Sequence, residues 1–241
     1  MVTADAAQGI AATLQPRGRG SVALRAELMW VLATAALGFA VSALTVSWLE
    51  LPRSWVVLLL AAAVGLLWTA YVRTHRIDLL AIVRHHWVWA TARGVAFGVV
   101  IVALVLPSDP SAREGGARLA FDVVWLGVVY GMFDALLLNV LPMMAIWSAL
   151  THLGWIGTWR GRIWGTAATL GANLLVTTSY HAGYPEFRGP EIVGPIGGNL
   201  LIGIGYVLVP NPLTAVVAHI ILHVASVLTG VEGPVQLPPH Y

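Results

Sequence analysis

Apolar runs of about 20 residues, the length that crosses a bilayer, fill most of this chain, and short polar segments separate them. The chain has 241 residues, of which 58% are hydrophobic and only 10% are charged. So few charges cannot cover a globular surface, since soluble domains carry about 25% charged residues. Lipid removes that requirement, because an apolar helix face is stable against acyl chains. The sequence therefore predicts an all-α, polytopic membrane bundle.

Seven runs are long enough to be transmembrane helices. They cover residues 27–49, 54–72, 89–106, 119–150, 163–180, 195–209 and 213–229. The fourth run is long enough to tilt, or to kink at Pro142. A Pro210-Asn211-Pro212 turn makes the sixth and seventh runs antiparallel. Glycine pairs at 94/98, 127/131 and 194/198 predict close packing between helices.

The runs divide the chain into four regions. Residues 1–24 form a polar tail, and residues 25–118 hold the first helices. Residues 119–230 form a transmembrane core, and residues 231–241 form a second tail. The mixed apolar and basic segment 73–89 predicts an amphipathic helix at the membrane surface. We expect His75, His85 and His86 in this segment to contact lipid head groups.

The arginine distribution predicts the orientation. All thirteen basic residues are Arg, and nine of them fall on the side of the N-terminus if seven runs cross the membrane. By the positive-inside rule, the N-terminus is cytoplasmic in a multi-pass protein of a bacterial inner membrane. The net charge of +2 gives no sign of nucleic-acid binding, so membrane lipids are the expected partners. The absence of cysteine excludes thiolate catalysis and cysteine-ligated metals.

Four ionisable residues lie inside or at the end of predicted spans, where a charge is costly and therefore suggests function. Asp134 lies in the fourth span, and His181 ends the fifth. His219 and His223 lie four residues apart in the seventh span, so they share one helix face. Two such imidazoles can hold a divalent metal, and Asp134 is the buried carboxylate available to complete the set. Together the four residues form a candidate site for zinc, iron or manganese.

The alternative interpretation is structural. Each histidine taken alone fits a packing role with its ring nitrogens bonded to neighbours. Asp134 can likewise cap a helix break or bond to Asn139 or Asn173. The concentration of four such groups in three spans makes a shared site as strong a hypothesis as four separate structural roles.

At these residues the sequence resembles the CPBP family of intramembrane proteases, which are relatives of the CAAX prenyl endopeptidases. That family carries Glu-Glu-x-x-x-Arg, Phe-x-x-x-His and His-x-x-x-Asn motifs on successive helices. Phe133-Asp134 stands at the paired glutamates, with Leu138 at the arginine. Thr177 to His181 stands at the second motif, and His219 to His223 at the third. His181 and His219 are identical to the family pattern.

The resemblance, which covers residues 119–230, implies an intramembrane metallo-endopeptidase with an altered active site. Asp134 would act as the base, and His181, His219 and His223 would polarise the scissile carbonyl. The substrate would be a membrane-associated peptide or protein that approaches laterally or from the outer side, near loop 182–194. Independently of the resemblance, loop 181–195 is expected to fold back as a lid.

Two other functions stay open. A small transporter or channel could use Asp134 and the membrane histidines as a proton or metal relay. A structural or partner-binding membrane protein is the third alternative, with His219 as a haem ligand. Cleavage, ion flux and haem absorbance separate the three.

Overall fold

A computed structural model of the protein describes residues 20–105, 115–155 and 158–229, with side chains from Leu24 onward. Within these ranges the chain forms eight helices and no strand, which confirms the predicted all-α bundle. The helices are α1 (Gly20–Ser42, extended by π-helical turns over Ala43–Trp48), α2 (Arg53–His75), α3 (Leu79–Arg84), α4 (Trp87–Val105), α5 (Gly116–His152), α6 (Trp159–Ala182), α7 (Val193–Leu208) and α8 (Pro212–Thr229). The predicted C-terminal tail, most of the N-terminal tail and Leu106 lie outside the described residues.

Six of the helices in the described residues are long and apolar enough to cross a membrane: α1, α2, α4, α5, α7 and α8. The remaining long helix, α6, has 24 residues and contains the whole predicted fifth span. It is less apolar because it buries Thr169, Asn173 and Thr177 inside the bundle. The chain is therefore a multi-pass membrane protein, and its outer faces contact lipid through side chains such as Leu66 and Trp164.

The C-terminal half of α5 is the centre of the bundle. Every residue from 137 to 150 is buried, as expected for a helix that is apolar on all sides. Helices α1 and α6 pack against this half, while α8 packs along α4 and the N-terminal half of α5. The two long helices α5 and α8 therefore meet inside the protein, and both carry predicted site residues.

Two of the three glycine pairs pack as predicted. A Cβ atom at Gly94 would lie 2.8 Å from the Thr214 carbonyl oxygen, and one at Gly127 would lie 2.7 Å from Val224. These glycines bring α4 and α5 close to α8. The third pair behaves differently, because a Cβ atom at Gly198 would meet no atom within 4 Å. Gly194 and Gly198 line a cavity instead of a helix contact.

Helix α5 changes its winding just before Pro142. A π-helical stretch covers Leu136–Val140, and Pro142 then begins a regular helical turn. Proline lacks an amide hydrogen, so the carbonyl of Leu138, four residues earlier, loses its usual donor. The side chain of Asn173 on α6 replaces that donor, since its Nδ2 donates to the Leu138 oxygen at 2.8 Å. This contact gives the Leu138 carbonyl a hydrogen-bond donor, which neither lipid nor apolar side chains can provide.

Replacing Asn173 by leucine is expected to destabilise the protein by about 1–3 kcal/mol, because the buried Leu138 carbonyl then has no donor. Thermal unfolding in detergent measures the loss. The double variant Asn173→Leu/Pro142→Ala is the matched control, since alanine in place of Pro142 restores a backbone amide that can donate to Leu138. Recovery of stability in the double variant supports the contact, and a loss that is unchanged or larger would contradict it.

The surface segment between α2 and α4 differs in detail from its prediction. Helix α2 continues through His75, and the short α3 follows it with Asp78 as its N-cap. The Pro210-Asn211-Pro212 turn reaches this segment: Asn211 Nδ2 donates to the carbonyl oxygens of Ile82, Val83 and His85. Asn211 Oδ1 accepts from the Leu213 amide, so one side chain fixes the start of α8 to the end of α3.

Candidate metal centre

Asp134 lies in the middle of α5, between two π-helical stretches over Val123–Val129 and Leu136–Val140. In a regular α-helix a residue five positions later would be rotated by about 140°. A π-helical turn holds more residues and reduces that rotation. Asp134 and Asn139 consequently both face α8, where each contacts a histidine.

Helix α8 supplies His219 and His223, one turn apart on its buried face. Their rings are 5.9 Å apart between centroids and nearly parallel. Gly131 on α5 permits the close approach, because a Cβ atom there would lie 3.1 Å from both the His219 carbonyl oxygen and the His223 ring. The structure thus brings three of the four predicted site residues into direct contact.

The three side chains converge on one carboxylate oxygen. Asp134 Oδ2 lies 3.1 Å from His219 Nδ1 and 3.2 Å from His223 Nε2. One ligand atom from each residue lies within 4.8 Å of the others, and all three residues are buried. Ligands at 2.0–2.1 Å around a tetrahedral zinc ion are separated by about 3.3 Å. The spacing of these donors therefore fits a divalent metal.

The hydrogen bonding of His219 also suits a metal ligand. Its Nε2 donates to Asn139 Oδ1 at 2.7 Å, because an amide oxygen can only accept. In neutral His219 the other nitrogen, Nδ1, then points its lone pair at the Asp134 carboxylate. Two lone pairs repel at that distance unless a proton or a cation lies between them. Metal-bound histidines commonly donate their second N–H in this way, which fixes the ring for coordination.

A second feature of the carboxylate also fits a cation. Asp134 is 5% exposed, and its Oδ1 has no hydrogen-bond partner among the described residues. A buried carboxylate without full pairing is strongly unfavourable. A divalent ion beside Oδ2 would balance the charge of this carboxylate.

We expect Asn139→Leu to weaken zinc binding by about 10–100-fold, the usual effect of losing a partner that orients a metal ligand. Titration of the purified protein with zinc against a chromophoric chelator measures the change. Asn199→Leu makes the same substitution at a buried asparagine that lines the adjoining cavity and donates to the Pro195 carbonyl, and it should leave the affinity unchanged. Equal affinities in wild type and Asn139→Leu would remove Asn139 from the site.

Asp134, His219 and His223 together form one wall of a cavity of about 530 Å³. The other walls are mainly apolar and include Leu104, Val193 and Leu201 from α4 and α7. His181 also lines this cavity but does not belong to the three-residue group. Helix α6 is unbroken through His181, whose Nδ1 donates to the Thr177 carbonyl at 2.8 Å. Its Nε2 is therefore the nitrogen left for a ligand.

Tyrosines that sequence reasoning did not select complete the cavity. The Tyr184 hydroxyl donates to the Tyr180 hydroxyl at 2.5 Å, and the Tyr130 hydroxyl lies 3.1 Å from that of Tyr180. The Tyr130 ring packs edge-on against His223, with centroids 4.6 Å apart. Burial raises the pKa of the Tyr184 phenol well above its ordinary value, so this group stays protonated as a donor. The sequence signal that could have identified these tyrosines is the four-residue spacing of Tyr180 and Tyr184 beside His181.

The segment after α6 closes one end of the cavity. It forms two short 3₁₀ turns, Pro185–Phe187 and Pro190–Ile192. Phe187 packs edge-on against His181, with centroids 4.9 Å apart. Ser47 donates to the Gly183 carbonyl and so ties this segment to the end of α1. The segment thus contributes Tyr184 and Phe187 to the lining of the cavity.

A second buried acid–histidine cluster lies at the other end of the bundle, and sequence reasoning missed it. Glu27 on α1 is 2% exposed, and its Oε1 lies 3.0 Å from His75 Nε2. Ser148 donates to the same oxygen at 2.5 Å, and the Tyr71 hydroxyl donates to Oε2 at 3.5 Å. His75 thus pairs with a buried carboxylate, which corrects its predicted role as a head-group contact. Glu27 stands at the start of an apolar run, so its burial was not apparent.

Comparisons with known protein families, with curated proteins and with solved structures found no match for this chain. The resemblance to the CPBP proteases therefore stays a prediction. The buried Asp134–His219–His223 group is the firm basis for a functional proposal.

Proposed function

We propose that this protein is a membrane-embedded metallohydrolase that cleaves a peptide bond in a membrane-associated substrate. The observation that carries the proposal is the convergence of Asp134, His219 and His223 on one point at the wall of a largely apolar cavity. Three protein ligands with one side open is the arrangement of catalytic rather than structural zinc sites. The resemblance to intramembrane proteases supplies the choice of peptide as substrate.

Each residue of the site would have its own role in hydrolysis. A bound zinc ion would supply a Lewis acid and activate a water molecule. Asp134 Oδ2, His219 Nδ1 and His223 Nε2 would hold the ion, and Asn139 fixes the His219 ring through its hydrogen bond. Asp134 Oδ1, which has no partner among the described residues, would then be the carboxylate oxygen available to accept a proton. The apolar walls exclude bulk water from the rest of the cavity.

The cavity also suggests the kind of substrate. Its apolar walls, formed by α4, α7 and α8, fit an extended segment with large apolar side chains. His181 and Tyr184 line the same space and supply polar contacts for a peptide backbone. The arginine distribution predicts a cytoplasmic N-terminus. In that orientation, the end of the bundle that carries His181 and Tyr184 faces the outer side of the membrane. The substrate then enters from the outer leaflet.

A transporter is the second candidate, and the Glu27–His75 cluster favours it. That cluster lies near one end of the bundle and the Asp134 group lies near its middle, separated along α5 by about 20 Å. Buried acid–histidine pairs at two depths are typical of ion or proton pathways. Zinc or proton flux into liposomes that is lost in Asp134→Asn would favour transport over hydrolysis.

Cleavage tests the main proposal. Protein in nanodiscs with zinc is incubated with a peptide library that carries apolar segments, and new termini are identified by mass spectrometry. We expect wild type to generate cleavage products, with a rate at least about 100-fold lower in Asp134→Asn and His219→Ala. His152→Ala, at the end of α5 and outside the cavity, is the matched histidine control and should cleave like wild type. Cleavage retained in both site variants would rule out this mechanism.

A further inference from the structure

Five buried polar side chains between the two acid–histidine clusters each carry one atom without a hydrogen-bond partner among the described residues. We refer to this group as the polar seam: Asn139 Nδ2, Asn173 Oδ1, Thr177 Oγ1, Tyr206 OH and Trp147 Nε1. All five residues are at most 2% exposed. Leaving so many buried donors and acceptors unpaired is unfavourable, so a ligand with both hydrogen-bonding capacities is expected among them.

The end of the seam near the metal centre is formed by Asn139, Asn173 and Thr177. Asn139 binds His219 through Oδ1, and Asn173 binds the carbonyl of the adjacent Leu138 through Nδ2. Each amide thus uses one end for a protein contact and leaves the other end unpaired. Thr177 lies one turn from Asn173 on the same face of α6, so the three unpaired atoms belong to neighbouring turns.

Thr177 differs from other hydroxyl residues of the bundle. Thr169 and Ser226, for example, donate to the carbonyl four residues earlier, at 2.7 and 2.8 Å. This local bond is the usual way to satisfy a hydroxyl inside a membrane helix. The Thr177 hydroxyl makes no such bond, although it is fully buried. It is therefore available to a ligand between the helices.

The seam continues toward Glu27 on α7 and α5. A Cβ atom at Gly203 would lie 3.3 Å from Asn173 Oδ1, and Tyr206 follows Gly203 by one turn on α7. At the Glu27 end, the Tyr71 hydroxyl on α2 contacts Glu27. Trp147 adjoins Ser148, which also contacts Glu27. The seam thus ends at a cluster whose His75 is partly exposed, at 17% of its side chain.

We infer that bound water fills the polar seam and connects the Asp134 metal centre with the surface at the Glu27 end of the bundle. Water suits the seam because it both donates and accepts, and buried waters typically bond to about three polar groups. Its role rests on the proposed function: hydrolysis within a membrane consumes water, and the apolar walls of the substrate cavity do not supply it. The seam brings water from the side opposite to the substrate.

Radiolytic hydroxyl-radical labelling tests the inference, because radicals formed from bound water oxidise the side chains beside it. Zinc-free protein in nanodiscs is irradiated in ¹⁸O-water and analysed by mass spectrometry. After correction for intrinsic reactivity, we expect several-fold more ¹⁸O at Tyr206 and Trp147 than at Phe97 and Phe133. These two phenylalanines are matched controls, since they pack against Gly205 and Gly65 in apolar contacts. Labelling of Tyr206 and Trp147 no stronger than that of the phenylalanines would overturn the inference.

A second measurement does not depend on radical chemistry. Tyr206→Phe removes only the hydroxyl group. If water bonds to that hydroxyl, the melting temperature falls, as it should in the control Tyr184→Phe, which loses a known bond to Tyr180. A rise in melting temperature in Tyr206→Phe would mean that the hydroxyl is dry, and would also overturn the inference. Both measurements use metal-free protein, so a failure of zinc binding or cleavage leaves them interpretable.

Discussion

Purified Asp134→Ala protein is expected to bind zinc about 1,000-fold more weakly than wild type, a larger loss than the 10–100-fold typical of a partner outside the coordination shell. Alanine removes the only carboxylate of the group and leaves two imidazoles without a negative charge. Asp134→Asn, which preserves the shape of the side chain, should show nearly the same loss. Chelator competition and cobalt absorbance measure the affinity, and the cysteine-free sequence keeps thiolate bands out of the spectrum.

The matched control for this result is Asp122→Ala on the same helix. Asp122 pairs with Arg118 at 3.2 Å and lies outside the buried group. Its zinc affinity should equal that of wild type. If Asp134→Ala and Asp122→Ala bind zinc equally well, the buried group is not the metal site, and the short Asp134–histidine contacts are structural.

The second large effect is expected for Gly94→Leu, which should destabilise the protein by about 3 kcal/mol or more. A Cβ atom at this position would lie 2.8 Å from both the Thr214 carbonyl oxygen and the Val217 side chain. Helix α8 must then move away from α4, and backbone cannot yield as a flexible side chain does. Thermal unfolding in detergent measures the loss.

Gly171→Leu is the matched control, because a Cβ atom at Gly171 meets nothing within 4 Å. It tests the same change of residue in a helix that has room for it. Zinc affinity gives a second measurement, since α8 carries both His219 and His223 and its displacement separates them from Asp134. A Gly94→Leu protein as stable as Gly171→Leu would show that α4 and α8 are not packed as described.

Much of the helical architecture could be predicted because each span is a local property. An apolar run of sufficient length forms a helix wherever lipid surrounds it, independently of its neighbours. The predicted spans accordingly match the long helices within a few residues at most ends. Helix α6 differs from the others in hydrophobicity. Its buried Thr169, Asn173 and Thr177 make it the least apolar of these helices. Its polar side chains face the protein interior, a distinction that length and composition do not contain.

The composition of the candidate site could be predicted, but its geometry could not. The cost of burying ionisable groups selected Asp134, His219 and His223 from sequence. Whether they meet depends on the rotation of α5, which π-helical turns around Asp134 alter, and on Gly131, which admits α8. The same packing places His181 on the cavity wall outside the three-residue group.

The sequence by itself determined that the chain crosses a membrane several times and which few ionisable side chains lie within its spans. Both follow from transfer free energies between water and lipid, which depend on residue type and local span length. Only the tertiary structure decided which of those side chains touch, that Asn139 orients His219, and that Glu27 and His75 form a second buried pair. Such contacts depend on the rotation and spacing of helices far apart in the chain. Helix rotation and helix spacing are fixed by small differences in close packing, and the sequence of no single segment determines them.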